Sequence, residues 1–276
     1  MSKIERILVG VEKSLESHLA LRYAVNLAKI LEAKLVVLYA VEDLYVHSIW
    51  GSVIGERVNG IEHEQQKILV NLKMLESRFE VPIVGKQVHG HPAMEILKEA
   101  DKGGYDLIVV GSHGMPAMIE FLLGEVSSKV LHHAKIPVIV VKRERNLERI
   151  LMCTEGSRYA ENAMKFTSEI AKKARSKVTV LCVIPNKREE YLKSAKEILK
   201  KGKELLKKRG VKAKTKVRVG EPAEQILLEA REGEYHLIVM GYKGKSEVFE
   251  FLLGDVASKV IHHSLRPTLV HRGSGS

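Results

Sequence analysis

The chain repeats one pattern twice, and that repeat constrains its fold more than any other feature. Tyr105 to Gly114 returns as Tyr235 to Gly244, Glu120 to His133 as Glu250 to His263, and Gly90 to Leu97 as Gly220 to Leu227, each displaced by 130 residues. Ile7 to Glu12 matches Ile150 to Glu155 with a displacement of 143, so copy one is thirteen residues longer between Val41 and Gly90. A solenoid needs roughly three or more stacked repeats, so two long copies mean a tandem of two globular domains. Their expected bounds are 1–143 and 148–272, joined by the charged connector 142–149 and able to pack as a pseudo-dimer. At 276 residues, each half is long enough to bury its own core.

Within copy one, short apolar runs alternate with amphipathic stretches. Ile4 to Val11 reads as a strand, and Leu21, Ala24, Val25, Ala28 and Leu31 fall on one helical face. Leu35 to Tyr39 is continuously apolar, as a parallel strand covered on both faces should be. Further strands are expected at 81–88, 107–110 and 137–141, with helices ending near Phe79, starting at Pro92, and spanning Val126 to His133. Copy two repeats the order. Alternation at this spacing predicts an α/β fold of two doubly wound domains, each a parallel sheet with helices on both faces. Ligands then bind where the strands end.

The formal net charge of +11 invites a nucleic-acid reading, but it is local. Residues 187–218 hold fourteen Lys or Arg against four acids, leaving the rest nearly neutral. Most of that segment reads as one helix, followed by a strand, Val211 to Val219, with basic alternate positions. This is either a solvated face, with lysines guarding an edge strand, or a polyanion-binding surface. Tyr191 is the one aromatic residue among these cations, too few to build a stacking platform, which disfavours single-stranded nucleic acid. No apolar run approaches the roughly 20 residues that span a bilayer, and no signal-peptide pattern is seen. Cys153 and Cys182 sit in strand-like runs and read as buried thiols of a reducing compartment, so the expected location is cytoplasmic.

The glycines after the fourth strand carry the chemistry. Gly111, two residues, Gly114, nine residues and Gly124 recur as Gly241, Gly244 and Gly254. Glycine after a buried strand lets the backbone turn and approach a ligand. Gly124 and Gly254 precede helices whose free N–H groups favour phosphate. Such glycines also serve simple tight turns, but two equally spaced sets point to a phosphate or nucleotide site.

These glycines, with Gly-x-Pro-Ala-x-x-Ile-Leu and the run from Gly124 to Val138, resemble the universal stress protein family, twice over nearly the whole chain. The resemblance implies a five-stranded sheet of order 3-2-1-4-5, adenine nucleotide across the strand ends, and pairing through the fifth strands, with homodimerisation also open. It implies that Val41 and Ile184 meet adenine through their backbones. Val11, Glu12, Val110, Gly111, Ser112, His113, Gly114, Gly124, Glu125 and Val126 would line the site in copy one. Thr154, Glu155, Met240, Gly241, Gly244, Gly254, Asp255 and Val256 would do so in copy two. Glu12 and Glu155 stand where the family has aspartate.

Two departures bear on the ligand. The family's Ser or Thr after the third glycine is Glu125 or Asp255, and Gly241-Tyr-Lys-Gly244 replaces the Ser112-His113 type of loop. A carboxylate about 4 Å from a phosphate oxygen is repelled by about 4 kcal/mol at an effective dielectric near 20. A helix N-terminus contributes about 0.3–1 kcal/mol, or about 2 at best. Inward-pointing acids would therefore favour AMP over ATP unless Mg²⁺ bridges a triphosphate. Without a visible nucleophile or general base, the expected role is regulatory. The alternatives are a nucleotide-free adaptor and a slow Mg²⁺-dependent ATPase with Glu12 or Glu155 on the metal. No metal site is expected: His132-His133 and His262-His263 are adjacent on a helix, and His89-x-His91 lacks further ligands. The extra segment 43–60, with Trp50, reads either as ordinary packing or as a lid or subunit contact.

Overall fold

The structure is a computed structural model, and it describes residues 3–12, 14–41, 72–112, 123–143, 145–244 and 253–273. The segment 43–60 and residues His113 and Gly114 lie outside these. Copy one contributes β1 (Arg6–Val11), α1 (Leu15–Leu31), β2 (Lys34–Val41), β3 (Ile83–His89), α2 (Pro92–Gly103), β4 (Leu107–Gly111), α3 (Glu125–His133) and β5 (Val138–Val141). Residues 72–79 are also helical. Copy two contributes β6 (Arg149–Cys153), α4 (Arg158–Lys173), β7 (Lys177–Ile184), α5 (Glu189–Lys208), β8 (Ala213–Val219), α6 (Pro222–Glu232), β9 (Leu237–Gly241), α7 (Asp255–His263) and β10 (Thr268–His271).

The local reasons for these elements repeat with the sequence. Ser14 and Ser157 cap α1 and α4, accepting from Ser17 N at 3.2 Å and Ala160 N at 3.1 Å. Pro92 and Pro222 open α2 and α6, where a missing N–H costs nothing. The central strands are buried on both faces, and Ile7, Leu8, Leu107, Ile108, Leu237 and Ile238 are all solvent-inaccessible.

Each copy is a parallel five-stranded sheet, ordered β3-β2-β1-β4-β5 and β8-β7-β6-β9-β10. The two join edge to edge, because β10 runs antiparallel to β5 and completes a ten-stranded sheet. Ile139 pairs with Leu269, its own counterpart 130 residues on, so a local twofold passes between them. Reciprocal contacts follow. Arg272 Nη2 donates to His132 O at 2.8 Å, and Lys142 Nζ donates to His262 O. Both acceptors lie in the last turn of a helix, the carbonyl end that favours cations.

On one sheet face a single apolar cluster crosses both copies, with α1 and α4 laid over it. The opposite face carries two clusters, under α2 and α3 and under α6 and α7. Tyr23 of α1 is buried in the first cluster with its hydroxyl unpartnered, as is the hydroxyl of Thr167 in α4. A buried polar group without a partner costs about 1–3 kcal/mol. Tyr23→Phe and Thr167→Val should therefore each hold or raise the urea midpoint, by about 1 kcal/mol in stability. A clear loss in either would mean that its hydroxyl has a partner in solution.

The basic segment 187–218 forms α5 and β8, as its pattern predicts. Lys216 and Arg218 are not a free cationic row. They reach the buried carboxylate of Glu229 at 2.5 and 2.6 Å, and Arg218 also holds Glu232.

Candidate functional site

The strand order reverses between β6 and β9, so the loops leaving them diverge to opposite sides of the sheet and open a crevice. A cavity of about 340 Å³ lies there, a volume suited to a small ligand. Its floor is the ends of β6 and β9, with Cys153, Thr154, Met240 and Gly241. One wall is apolar, from Leu181 and Val183 of β7 and Pro222 and Ile226 of α6. The other side is the loop Gly241–Gly244 and the start of α7, with Gly254, Val256 and Ala257. Glu155 also lines it.

Gly254 caps α7 without a side-chain acceptor, so the first N–H groups of the helix have no side-chain partner there. Asp255 does not take their place. Its carboxylate is 72% exposed and pairs one turn on with Lys259 at 2.8 Å. In copy one Glu125 does the same: it is 70% exposed, lies 2.5 Å from Lys129, and has His91 at 3.6 Å. The Lys129 ammonium, then His91, hold the Glu125 carboxyl below its ordinary range. Each acid is thus largely exposed and paired with a lysine one turn along its own helix.

The loop glycines divide their work. A Cβ on Gly241 would lie 2.6 Å from Ala160 N and 2.8 Å from the Tyr159 carbonyl carbon, and one on Gly111 would lie 2.8 Å from the Glu16 backbone. These first glycines let the loop lie on the first turn of α4 or α1. Gly244 differs: among the described residues its Cβ would have only Glu155 Oε1 within 4 Å, at 3.9 Å. Gly241→Ala should therefore cost about 1–3 kcal/mol, because backbone on both sides cannot yield. Gly244→Ala should change stability by less than about 0.5 kcal/mol, as an unobstructed substitution does. Thermal unfolding of the two variants distinguishes the roles, and equal losses would refute the division.

Of the residues expected at the site, the crevice brings together Thr154, Glu155, Met240, Gly241, Gly244, Gly254 and Val256. Ile184 and Asp255 are not among the residues lining it, although Asp255 stands in the chain between two that are. The side chain of Ile184 enters the opposite cluster, and its carbonyl accepts from Gly220 N at 2.9 Å. Val41 O is likewise engaged by Gly90 N at 2.9 Å. In copy one, Val110 is buried, Ser112 is buried with its carbonyl accepting from Gly124 N at 2.6 Å, and Val11 and Val126 are partly buried. Ser127 donates to Gly111 O.

The copies differ at the residue after the first strand. Glu12 Oε1 accepts from Ser14 Oγ at 3.1 Å, tying the carboxylate to the helix cap. Glu155 Oε1 is buried and has no hydrogen-bond partner among the described residues. Gly156 replaces Lys13, turns with φ 83°, and donates to Thr154 Oγ1 at 3.0 Å.

Sequence reasoning missed two further features. Leu181, Val183, Pro222 and Ile226 were legible through strand alternation and the recurring Gly-x-Pro-Ala-x-x-Ile-Leu block. Lys243 sits between the loop glycines, is 3% exposed, and its ammonium has no hydrogen-bond partner among the described residues. Its neighbour Tyr242 also lines the crevice but sends its hydroxyl to the seam with copy one, where it accepts from Arg272 Nη2 at 2.8 Å and donates to His132 O of copy one at 3.4 Å.

Among the described residues, no three His, Cys, Asp or Glu side chains form a group that could hold a metal ion. His132 Nδ1 and His262 Nδ1 lie 2.7 and 2.8 Å from carbonyls one turn back.

The sequence profile of the Universal stress protein family matches residues 3–142 and again 146–272. The chain belongs to the universal stress protein family. Universal stress protein YxiE of Bacillus subtilis is 37% identical over 145 residues, covering 50% of this chain and 98% of that one. A universal stress protein of Mycolicibacterium smegmatis is 25% identical over 289 residues, covering 96% of each. The crystal structure of a universal stress protein from Archaeoglobus fulgidus superimposes with a TM-score of 0.80 at 22% identity, covering 99% of this chain and 100% of that one. That last likeness speaks to the fold, and both domains of this chain have the doubly wound architecture of the family.

Proposed function

We propose that this tandem universal stress protein binds an adenine nucleotide in the copy-two crevice and acts through its occupancy rather than through turnover. The observation that carries this reading is the phosphate end of the crevice. The N-terminus of α7 opens onto it while Asp255 turns away to Lys259. The apolar wall of Leu181, Val183, Pro222 and Ile226 suits a flat base, and Glu155 accepts ribose hydroxyls. The expected ranking of AMP over ATP rested on inward-pointing acids, and their outward ion pairs take that support away.

The same reading makes the two copies a pseudo-dimer through β5 and β10, with domains bounded at 1–143 and 148–272, working in the cytoplasm. No helix among the described residues is long and apolar enough to cross a membrane. Isothermal titration of nucleotide-stripped protein with AMP, then ATP with and without Mg²⁺, tests the proposal. Binding is expected, with a stoichiometry that counts the live copies. Nucleotide at 100 times its Kd should also stabilise the fold by about 2.7 kcal/mol. Silence with every adenine nucleotide would favour an adaptor that acts through protein contacts.

A further inference from the structure

The copy-two crevice holds two buried polar atoms of opposite charge with no hydrogen-bond partner among the described residues, Lys243 Nζ and Glu155 Oε1. They do not pair with each other, although both residues line the same cavity. An unpaired buried charge is costly, so a fold that keeps one retains it for something outside the chain. The ammonium requires an anion, and the carboxylate requires hydrogen-bond donors. A nucleoside phosphate supplies both.

Lys243 is also held in place. On one side, Tyr242 N donates to His271 O at 2.9 Å and Gly254 N donates to Tyr242 O at 2.9 Å. The carbonyl of Lys243 itself accepts from Ser157 Oγ at 3.4 Å. The Tyr242 ring is clamped by the Arg272 guanidinium, 4.2 Å from its centroid. The loop therefore cannot carry Lys243 out to water without breaking contacts with β10, α4 and copy one.

We infer that in copy two the ligand phosphate is neutralised by Lys243 in place of a divalent cation, so that this crevice takes a metal-free nucleotide. The inference rests on the nucleotide reading above. A Mg²⁺ ion demands octahedral oxygen ligands and commonly takes carboxylates beside the phosphates. Among the described residues lining this cavity Glu155 alone carries a carboxylate, and the Lys243 ammonium lining the same cavity repels a metal cation. The site therefore does not suit the metal that a triphosphate would otherwise bring.

The test is titration of the nucleotide-stripped full chain with ADP and with adenosine, first in EDTA and then with excess Mg²⁺. In EDTA, ADP is expected to bind about tenfold or more tightly than adenosine, as a charge-assisted contact provides. Excess Mg²⁺ should leave ADP binding no tighter. Lys243→Met should lower ADP affinity at this site about tenfold or more while adenosine stays within about twofold. The ligand-free variant should melt at a higher temperature, because an unpaired buried charge is gone, and Lys243→Arg should retain most ADP affinity. ADP binding that depends on Mg²⁺, or that survives Lys243→Met unchanged while adenosine also binds, would overturn the inference and leave the nucleotide reading standing. Wild-type protein that binds neither ADP nor adenosine would overturn both.

Discussion

Truncating Leu269 to alanine is expected to cost about 2–5 kcal/mol, the range for a buried leucine whose cavity cannot collapse. Leu269 is fully buried and opposes Ile139, also fully buried, at the local twofold where β10 meets β5. The cluster containing both residues extends through both copies, so the loss should not be confined to one half. Urea unfolding followed by circular dichroism is expected to show one transition, displaced as a whole in the variant. Ile139→Ala should behave alike. Because the two side chains oppose each other in one buried cluster, the double variant should depart from additivity by about 0.5–3 kcal/mol. Two separated transitions, only one of them moved by Leu269→Ala, would show that the halves fold independently.

Stability should also fall between about pH 6.5 and pH 4 through one histidine. Burial lowers the pKa of His271 from 6.5 to about 4. Its ring lies 5.5 Å from Phe166 at 63°, and its Nδ1 accepts from Gly273 N at 2.8 Å, which places the proton of the neutral ring on Nε2. The unfolded chain takes up a proton on this residue near pH 6.5, whereas the folded chain resists until about pH 4. Below pH 6.5 the unfolded state therefore binds more protons, and stability drops as the pH falls. Each pKa unit corresponds to about 1.36 kcal/mol, so the full loss at pH 4 and below approaches about 3 kcal/mol. Copy one has Val141 at the equivalent position. His271→Val should remove this part of the pH dependence, read as the difference between variant and wild-type denaturation midpoints at pH 7 and pH 4.5. A constant difference across that range would refute it.

Much of this was legible from residue order alone. The two displacements of 130 and 143 announced two domains. Alternating apolar runs announced parallel strands, because a strand covered on both faces must be apolar throughout. The spaced glycines marked the strand ends where the crevice opens. The outward turn of Glu125 and Asp255 was half legible, since Lys129 and Lys259 stand one helical turn beyond each acid. That pairing was the missing step in the expectation of phosphate repulsion.

What sequence determined is what depends on near neighbours: the repeat, the element order, the caps at Ser14 and Ser157, and the place of the glycine loops. What only the tertiary structure decided depends on atoms brought close from far along the chain. Gly241 is needed because Ala160 N lies behind it, Tyr242 sends its hydroxyl to the seam because His132 and Arg272 receive it, and Lys243 stays buried because the loop around it is anchored. Glu12 and Glu155 occupy the same position in the repeat, yet Ser14 engages Oε1 of one, while Oε1 of the other has no hydrogen-bond partner among the described residues. Duplicated sequence fixes the backbone twice, while each side chain's direction follows whichever partner the assembled sheet sets within reach.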